Sequence, residues 1–204
     1  IRWFTPSIEV DLCGHATLAS AKILFEHYPN LAGNEIKFDS KSGALKVTSS
    51  EEKLCLNFPT DQPVESILDP LFIEILGTRP LELLRGKDDY LAVFKNQRQI
   101  ESMQPNFSLL KKINSRGMVI TSPGDKVDFV SRCFYPEAGI EEDPVTGSAH
   151  TMLTPYWANQ LKKDELEAHQ LSKRGGKLFC KLAGDRVFIS GTSVIYFDGI
   201  ISIV

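Results

Sequence analysis

The 204-residue chain has no long hydrophobic run, no surplus of either charge and no regular cysteine spacing. Each absence closes a class of function. A membrane-spanning helix needs roughly 20 consecutive, mostly apolar residues; nothing here approaches that, and a membrane is not an expected partner. Twenty-three Lys and Arg against 26 Asp and Glu leave a formal charge of −3. Without a basic excess little holds a phosphate backbone or an anionic bilayer, so nucleic acid is not expected either. Cys13, Cys55, Cys133 and Cys180 form no C-x-x-C pair and lie in apolar stretches, which argues for reduced, buried thiols over a zinc knuckle or a disulfide framework. The histidines offer no H-E-x-x-H and no other ligand spacing, so no metal is expected. The start, Ile1-Arg2-Trp3-Phe4-Thr5-Pro6, lacks the charged and apolar regions of a signal peptide, and the expected location is the cytoplasm.

What is present is the composition of a globular protein, 42% hydrophobic and 24% charged, with length for one large domain or two lobes at about 150 residues per domain. Alternating Ile8, Val10 and Leu12 predict a half-buried strand that ends at Cys13-Gly14-His15. From Ala16 to His27 the period becomes helical, and small or apolar residues on nearly every side predict a helix enclosed by protein. Residues 35–39, 44–48 and 53–58 read as an antiparallel meander. Pro59 and Pro63 enclose the most linker-like stretch, which places a lobe boundary between 1–60 and 61–190. Asp69 as N-cap, Pro70 and Gly77 bracket a short helix. Strands are predicted at 90–94, 117–121 and 128–134, and a helix at 106–113.

The second half then repeats the device of the first. Asp143-Pro144-Val145-Thr146-Gly147-Ser148 leads into a helix carrying Ala149, Met152, Leu153, Tyr156, Trp157 and Leu161, which Pro155 is expected to kink. Gly147-Ser148-Ala149 thus parallels Gly14-His15-Ala16. Residues 177–182 and 186–190 form a hairpin through Ala183-Gly184-Asp185, and 193–204 hold two further strand-like runs broken at Asp198-Gly199. Helices and strands do not alternate, so the fold class is α+β and not a doubly wound parallel sheet.

Two helix starts, after Gly14 and after Gly147, present unpaired N–H groups and positive dipole ends. Facing one another they would clamp an anion, a carboxylate above all. Beside them stand groups able to move protons: His15, whose ordinary pKa is about 6.5, and Asp143 with Ser148. Taken singly, Asp143 before a proline reads as a turn former and Ser148 as a cap; their joint placement favours function. Ser148, His15 and Asp143 are also the residue types of a hydrolytic triad, but G-x-S-x-G is absent. Arg174-Gly175-Gly176-Lys177 lacks phosphate-loop spacing, though Arg174 is a candidate anion contact.

These residues carry a resemblance. Arg2-Trp3-Phe4-Thr5-Pro6, Glu9-Val10, Leu12-Cys13-Gly14-His15-Ala16-Thr17, then Glu142-Asp143-Pro144-Val145-Thr146-Gly147-Ser148-Ala149-His150, and Gln170 with Ser172 and Arg174-Gly175-Gly176 resemble the phenazine biosynthesis PhzF-like proteins. The resemblance implies the diaminopimelate epimerase-like fold, two similar lobes each with a curled, largely antiparallel sheet around a central helix. It also implies that residues 191–204 return to the first lobe. By position it makes His15, Asp143 and Ser148 catalytic and Gly14, Thr146 and Gly147 substrate-binding. The implied activity is cofactor-independent isomerisation of a small anionic metabolite by acid/base proton transfer, and the implied assembly is a homodimer. The family reference reaction is that of trans-2,3-dihydro-3-hydroxyanthranilate.

Two departures qualify that expectation. Family members begin upstream of Ile1 with strands of the first lobe and a glutamate that serves as general acid and base. This chain has no equivalent of that segment, and as a 204-residue polypeptide it is a candidate for inactivity. The epimerases that share the fold pair one cysteine from each lobe; Cys13 occupies the first position and Pro144 the second. A non-catalytic metabolite-binding or protein-interaction relative is the alternative reading, and an epimerase or racemase the third.

Overall fold

The computed structural model describes residues 1–5, 8–50, 53–200 and 202. In chain order the elements are β1 (Trp3–Phe4), β2 (Glu9–Val10), α1 (Gly14–His27), α2 (Pro29–Ala32), β3 (Glu35–Ser40), β4 (Gly43–Ser50), β5 (Lys53–Pro59) and β6 (Val64–Glu65). They continue as α3 (Pro70–Leu76), β7 (Glu82–Arg85), β8 (Asp89–Val93), α4 (Gln97–Ser102), α5 (Phe107–Leu110), β9 (Gly117–Pro123) and β10 (Phe129–Phe134). A 3₁₀ turn at Pro136–Ala138 precedes α6 (Gly147–Leu161), β11 (Glu165–Gln170), β12 (Gly176–Ala183) and β13 (Arg186–Gly191).

Eleven strands form one sheet in the order β3-β4-β5-β13-β12-β11-β10-β9-β8-β7-β6, and β1 pairs with β2 apart from it. Only β8–β9 and β10–β11 run parallel within the sheet. α1 packs on β4 and β5, and α6 on β11, β12 and β13. The meander β3-β4-β5 forms as expected, with Leu54, Leu56 and Phe58 buried on the face toward α1.

Strands β8, β9 and β10 are buried on both faces, as their unbroken apolar runs require. Leu91, Val93, Val119, Phe129 and Cys133 point to the core shared with α1 and α6. Ala92, Phe94, Met118, Ile120, Val130 and Phe134 point to a second core with residues from α3, α4 and α5. Across the first core Phe129 and Trp157 stack with centroids 5.8 Å apart, and the indole N–H donates to Thr121 Oγ1 at 2.9 Å. The α3 signals act as read: Asp69 Oδ1 accepts from the Leu71 N–H at 2.8 Å, and Gly77 takes the left-handed conformation at φ 66°.

Pro155 lies inside α6 without ending it. Proline has no N–H to offer the carbonyl four residues back. That carbonyl, on Thr151, accepts instead from the Asp61 N–H at 3.1 Å, so the linker between the two proline positions completes the central helix.

Several expectations need correction. The helix predicted at 106–113 is only the four residues of α5, although Asn106 caps it. The strand expected over Ile8 to Leu12 contracts to Glu9–Val10, and Ser7 in the same pattern lies outside the described residues. α1 is not enclosed: Gly14, Thr17 and Ala21 are buried, but Ile23 is 42% exposed. Residues 192–200 and 202 form no strand, and Tyr196 is fully exposed. Among the described residues it is β13, ending at Gly191, that pairs with the first-lobe strand β5. The remaining residues of that run, Ile201, Ile203 and Val204, lie outside the described residues. No helix among the described residues is long and apolar enough to cross a membrane.

Candidate active site

The two central helices meet start to start. A Cβ added to Gly14 would lie 3.3 Å from Gly147 Cα, and one added to Gly147 would lie 3.5 Å from Gly14 Cα, with the Phe58 ring beneath both. A side chain at Gly14 would press on the facing backbone, and one at Gly147 would fill the remaining space between the two helix starts. His15 and Ser148 each directly follow the touching glycine, so residues far apart in sequence come to one place.

Neither helix start is capped by a side chain: the N-cap positions, Cys13 and Thr146, make no such bond, and neither first turn carries an acid. α3, α4 and α5 are all capped, by Asp69, Asn96 and Asn106. The four-residue α2 also has no side-chain cap, but of the two long helices, α1 and α6, both starts are left open, and these are the two that converge. Their amides and dipoles favour an anion at this point.

His15 reaches across from α1. Its Nδ1 lies 3.1 Å from the Val145 carbonyl oxygen, which can only accept, so Nδ1 carries the proton and Nε2 is left for other partners. The Cys13 sulfur lies 3.8 Å from Nδ1 and 3.7 Å from Nε2. Contact with Cys13 raises the imidazole pKa most, with Asp143 and the Val145 carbonyl acting in the same direction and burial opposing them.

Asp143 stands on a loop held from several sides. Glu142, just before it, receives a two-pronged ion pair from Arg132 at 2.7 and 3.0 Å, and Arg132 also donates to the Ile100 and Met103 carbonyls. The Asp143 N–H donates to the Cys133 carbonyl at 3.0 Å, and the Ser172 hydroxyl to the Pro144 carbonyl at 2.7 Å. Burial raises the Asp143 pKa, opposed by the Thr146 hydroxyl bond and by the His15 and Arg116 charges. The upward shift at Asp143 makes this carboxyl a better proton holder than an exposed aspartate, which suits a group that exchanges protons.

Of the residues read from sequence, Gly14, His15, Asp143, Gly147 and Ser148 gather at the helix starts. The Ser148 hydroxyl makes no hydrogen bond among the described residues, whereas its carbonyl accepts from Thr151 Oγ1. Thr146 is 6% exposed, with its amide and hydroxyl both engaged by neighbouring side chains. Arg174 lines a hollow of about 460 Å³ with His169, Gln170, Ser172 and Lys177, on the side of the loop where Gln170 and Ser172 bond to Asp143 and Pro144. Sequence reasoning gave no role to Gln170, which is 1% exposed. A polar residue in phase with Leu166 and Ala168 on an inward strand face was the available signal. Among the described residues no three His, Cys, Asp or Glu side chains converge to hold a metal ion.

Two lobes of curled sheet, each around a central helix whose start meets the other's, define a protein of the diaminopimelate epimerase-like fold. A family model described as phenazine biosynthesis-like protein, PhzC-PhzF, matches residues 1–199, and the chain belongs to this family. An uncharacterized isomerase of Pseudomonas aeruginosa is 46% identical over 199 residues, covering 98% of this chain and 76% of the relative. The crystal structure of a PhzF family protein of Enterococcus faecalis superposes with a TM-score of 0.90 at 44% identity, covering 96% of this chain and 75% of that one. A likeness of fold alone extends to a hydroxyproline epimerase of Agrobacterium vitis with bound trans-4-hydroxy-L-proline, at TM-score 0.57 and 11% identity, covering 94% and 67%.

Proposed function

We propose that the protein is a PhzF-like isomerase that moves a proton on a small carboxylate-bearing metabolite without a cofactor. The observation that carries this reading is the meeting of two uncapped helix starts at Gly14 and Gly147, flanked by His15 and Asp143. In this reading the open amides hold the substrate carboxylate. As a proton leaves a ring carbon, negative charge grows beside donors already oriented toward it, which is where fixed dipoles lower a barrier most. Asp143, with its raised proton affinity, gives or relays a proton; His15 Nε2, freed by the Val145 bond, accepts or orients; Ser148 donates to the substrate. The resemblance assigns the principal transfer to a glutamate upstream of the stretch matching Ile1, and the residues named here complete that site from the cleft side.

The test is exchange in D₂O. The full-length protein is incubated with trans-2,3-dihydro-3-hydroxyanthranilate, and deuterium at the ring carbons is followed by NMR. Deuterium incorporation with isomerisation supports the reading. Saturable binding without exchange would overturn it in favour of a metabolite-binding protein.

A further inference from the structure

The loop that carries Asp143 is wired by one buried side chain. Gln170 Oε1 accepts from the Thr146 N–H at 2.8 Å, and Gln170 Nε2 donates to the Asp143 carbonyl at 2.7 Å. Because a backbone N–H can only donate and a carbonyl can only accept, these two bonds fix which end of the amide is nitrogen. The second N–H on Nε2 then points to Thr146 Oγ1, 3.1 Å away. A hydroxyl has one proton. With Gln170 donating into Thr146 Oγ1, that proton goes to Asp143 Oδ2, the partner of the Thr146 hydroxyl. The chain of donors runs one way, from Gln170 through Thr146 to a single carboxylate oxygen.

We propose that Gln170 and Thr146 are positioning residues that occupy Asp143 Oδ2 and leave Oδ1 as the oxygen that exchanges a proton in the cleft. The proposal deepens the isomerase reading and rests on it for the role of Asp143. The wiring determines more than placement. A carboxyl free at both oxygens can carry its proton on either, and only one location faces the substrate; committing Oδ2 removes the unproductive choice. The other charges facing Asp143 are His15 from α1 and Arg116 from the turn before β9, while the buried Cys133 and Tyr135 of the neighbouring strand are held neutral by burial.

The experiment needs no substrate. The 204-residue protein is labelled with ¹³C at the aspartate carboxyls, and Asp143 is titrated by NMR in the unsubstituted protein, Thr146→Val and Thr146→Ser. Loss of a donor to a charged acceptor is expected to move the Asp143 midpoint up by about one pH unit in Thr146→Val, while Thr146→Ser keeps it near the starting value. A residue that merely filled space would leave the titration unchanged in a folded Val variant. In the unsubstituted protein both Gln170 side-chain amide protons should be protected from solvent exchange, a reading that stands even where a variant fails to fold. An unshifted midpoint in Thr146→Val, no recovery in Thr146→Ser, or rapid exchange at Gln170 would overturn the wiring. Intact wiring in a protein that exchanges no substrate proton would count against the isomerase reading alone.

Discussion

His150 gives the cleft an acid-sensitive support whose size follows from the structure. The ring is fully buried in α6, its Nδ1 lies 2.8 Å from the Thr146 carbonyl oxygen, and its Nε2 has no partner among the described residues. Burial lowers its pKa to about 4, with the Thr146 contact opposing. The unfolded chain protonates the same ring near pH 6.5. Stability from this residue is therefore present above about pH 6.5 and is lost as pH falls toward 4, because the unfolded state takes up the proton first. Between pH 7 and 4.5 the loss is about 2 kcal/mol. His150→Asn keeps a donor for the carbonyl and removes the titration. It should be less stable at pH 7, by about 2 kcal/mol for the space left beside Phe129, yet lose about 2 kcal/mol less than the parent on acidification. Urea unfolding at the two pH values measures both. Equal pH dependence in the two proteins would refute the argument.

Two further outcomes are expected. In full-length protein with measurable turnover of trans-2,3-dihydro-3-hydroxyanthranilate, Cys13→Ala should lose less than about tenfold, whereas His15→Ala or Asp143→Ala should lose about a hundredfold; abolition by Cys13→Ala alone would point to a thiol mechanism. Gly117→Ala would place a Cβ 2.3 Å from both the Phe134 carbonyl oxygen and the Tyr135 ring. With a β-strand carbonyl unable to yield, chemical denaturation should show a loss of roughly 3 kcal/mol or more, and a stable variant would mean that this strand pair is looser than described.

The elements readable in sequence were those whose signals are local. Asp69, Pro70 and Gly77 mark α3 through groups within the helix ends themselves, and the alternation of Leu54, Leu56 and Phe58 needs only one buried face. The repeated glycine before His15 and Ser148 announced the two helix starts, because close approach of backbones leaves few other choices of residue. β11 escaped notice because Glu165, Leu166, Glu167 and Ala168 favour a helix, and the flanking β10 and β12 override that preference. α4 is similarly short and depends on its Asn96 cap. Gln170 could be seen as polar in an apolar phase, but its role depends on where the Asp143 loop returns, which no spacing encodes. The two faces of α1 differ in exposure although their residues are alike in character, so composition alone could not distinguish them.

The seam between the lobes bears on how a substrate enters. β13 pairs with β12 on one side and with β5 on the other, the latter from Arg186 opposite Pro59 to Gly191 opposite Leu54. Arg186 adds bonds from Nε to the Asn57 side chain at 2.7 Å and from its guanidinium to the Asn57 carbonyl at 3.2 Å. Two bodies joined by a lone linker can swing apart as on a hinge, but bodies that share a continuous ladder separate only by twisting or shearing it, against about 1 kcal/mol for each hydrogen bond broken. The geometry at Gly14 and Gly147 is thus fixed when the chain folds, and the entropy of aligning the two helix starts is spent before any guest arrives. Any guest would thus meet two helix starts already aligned, with His15 bridging to the Val145 carbonyl beside them.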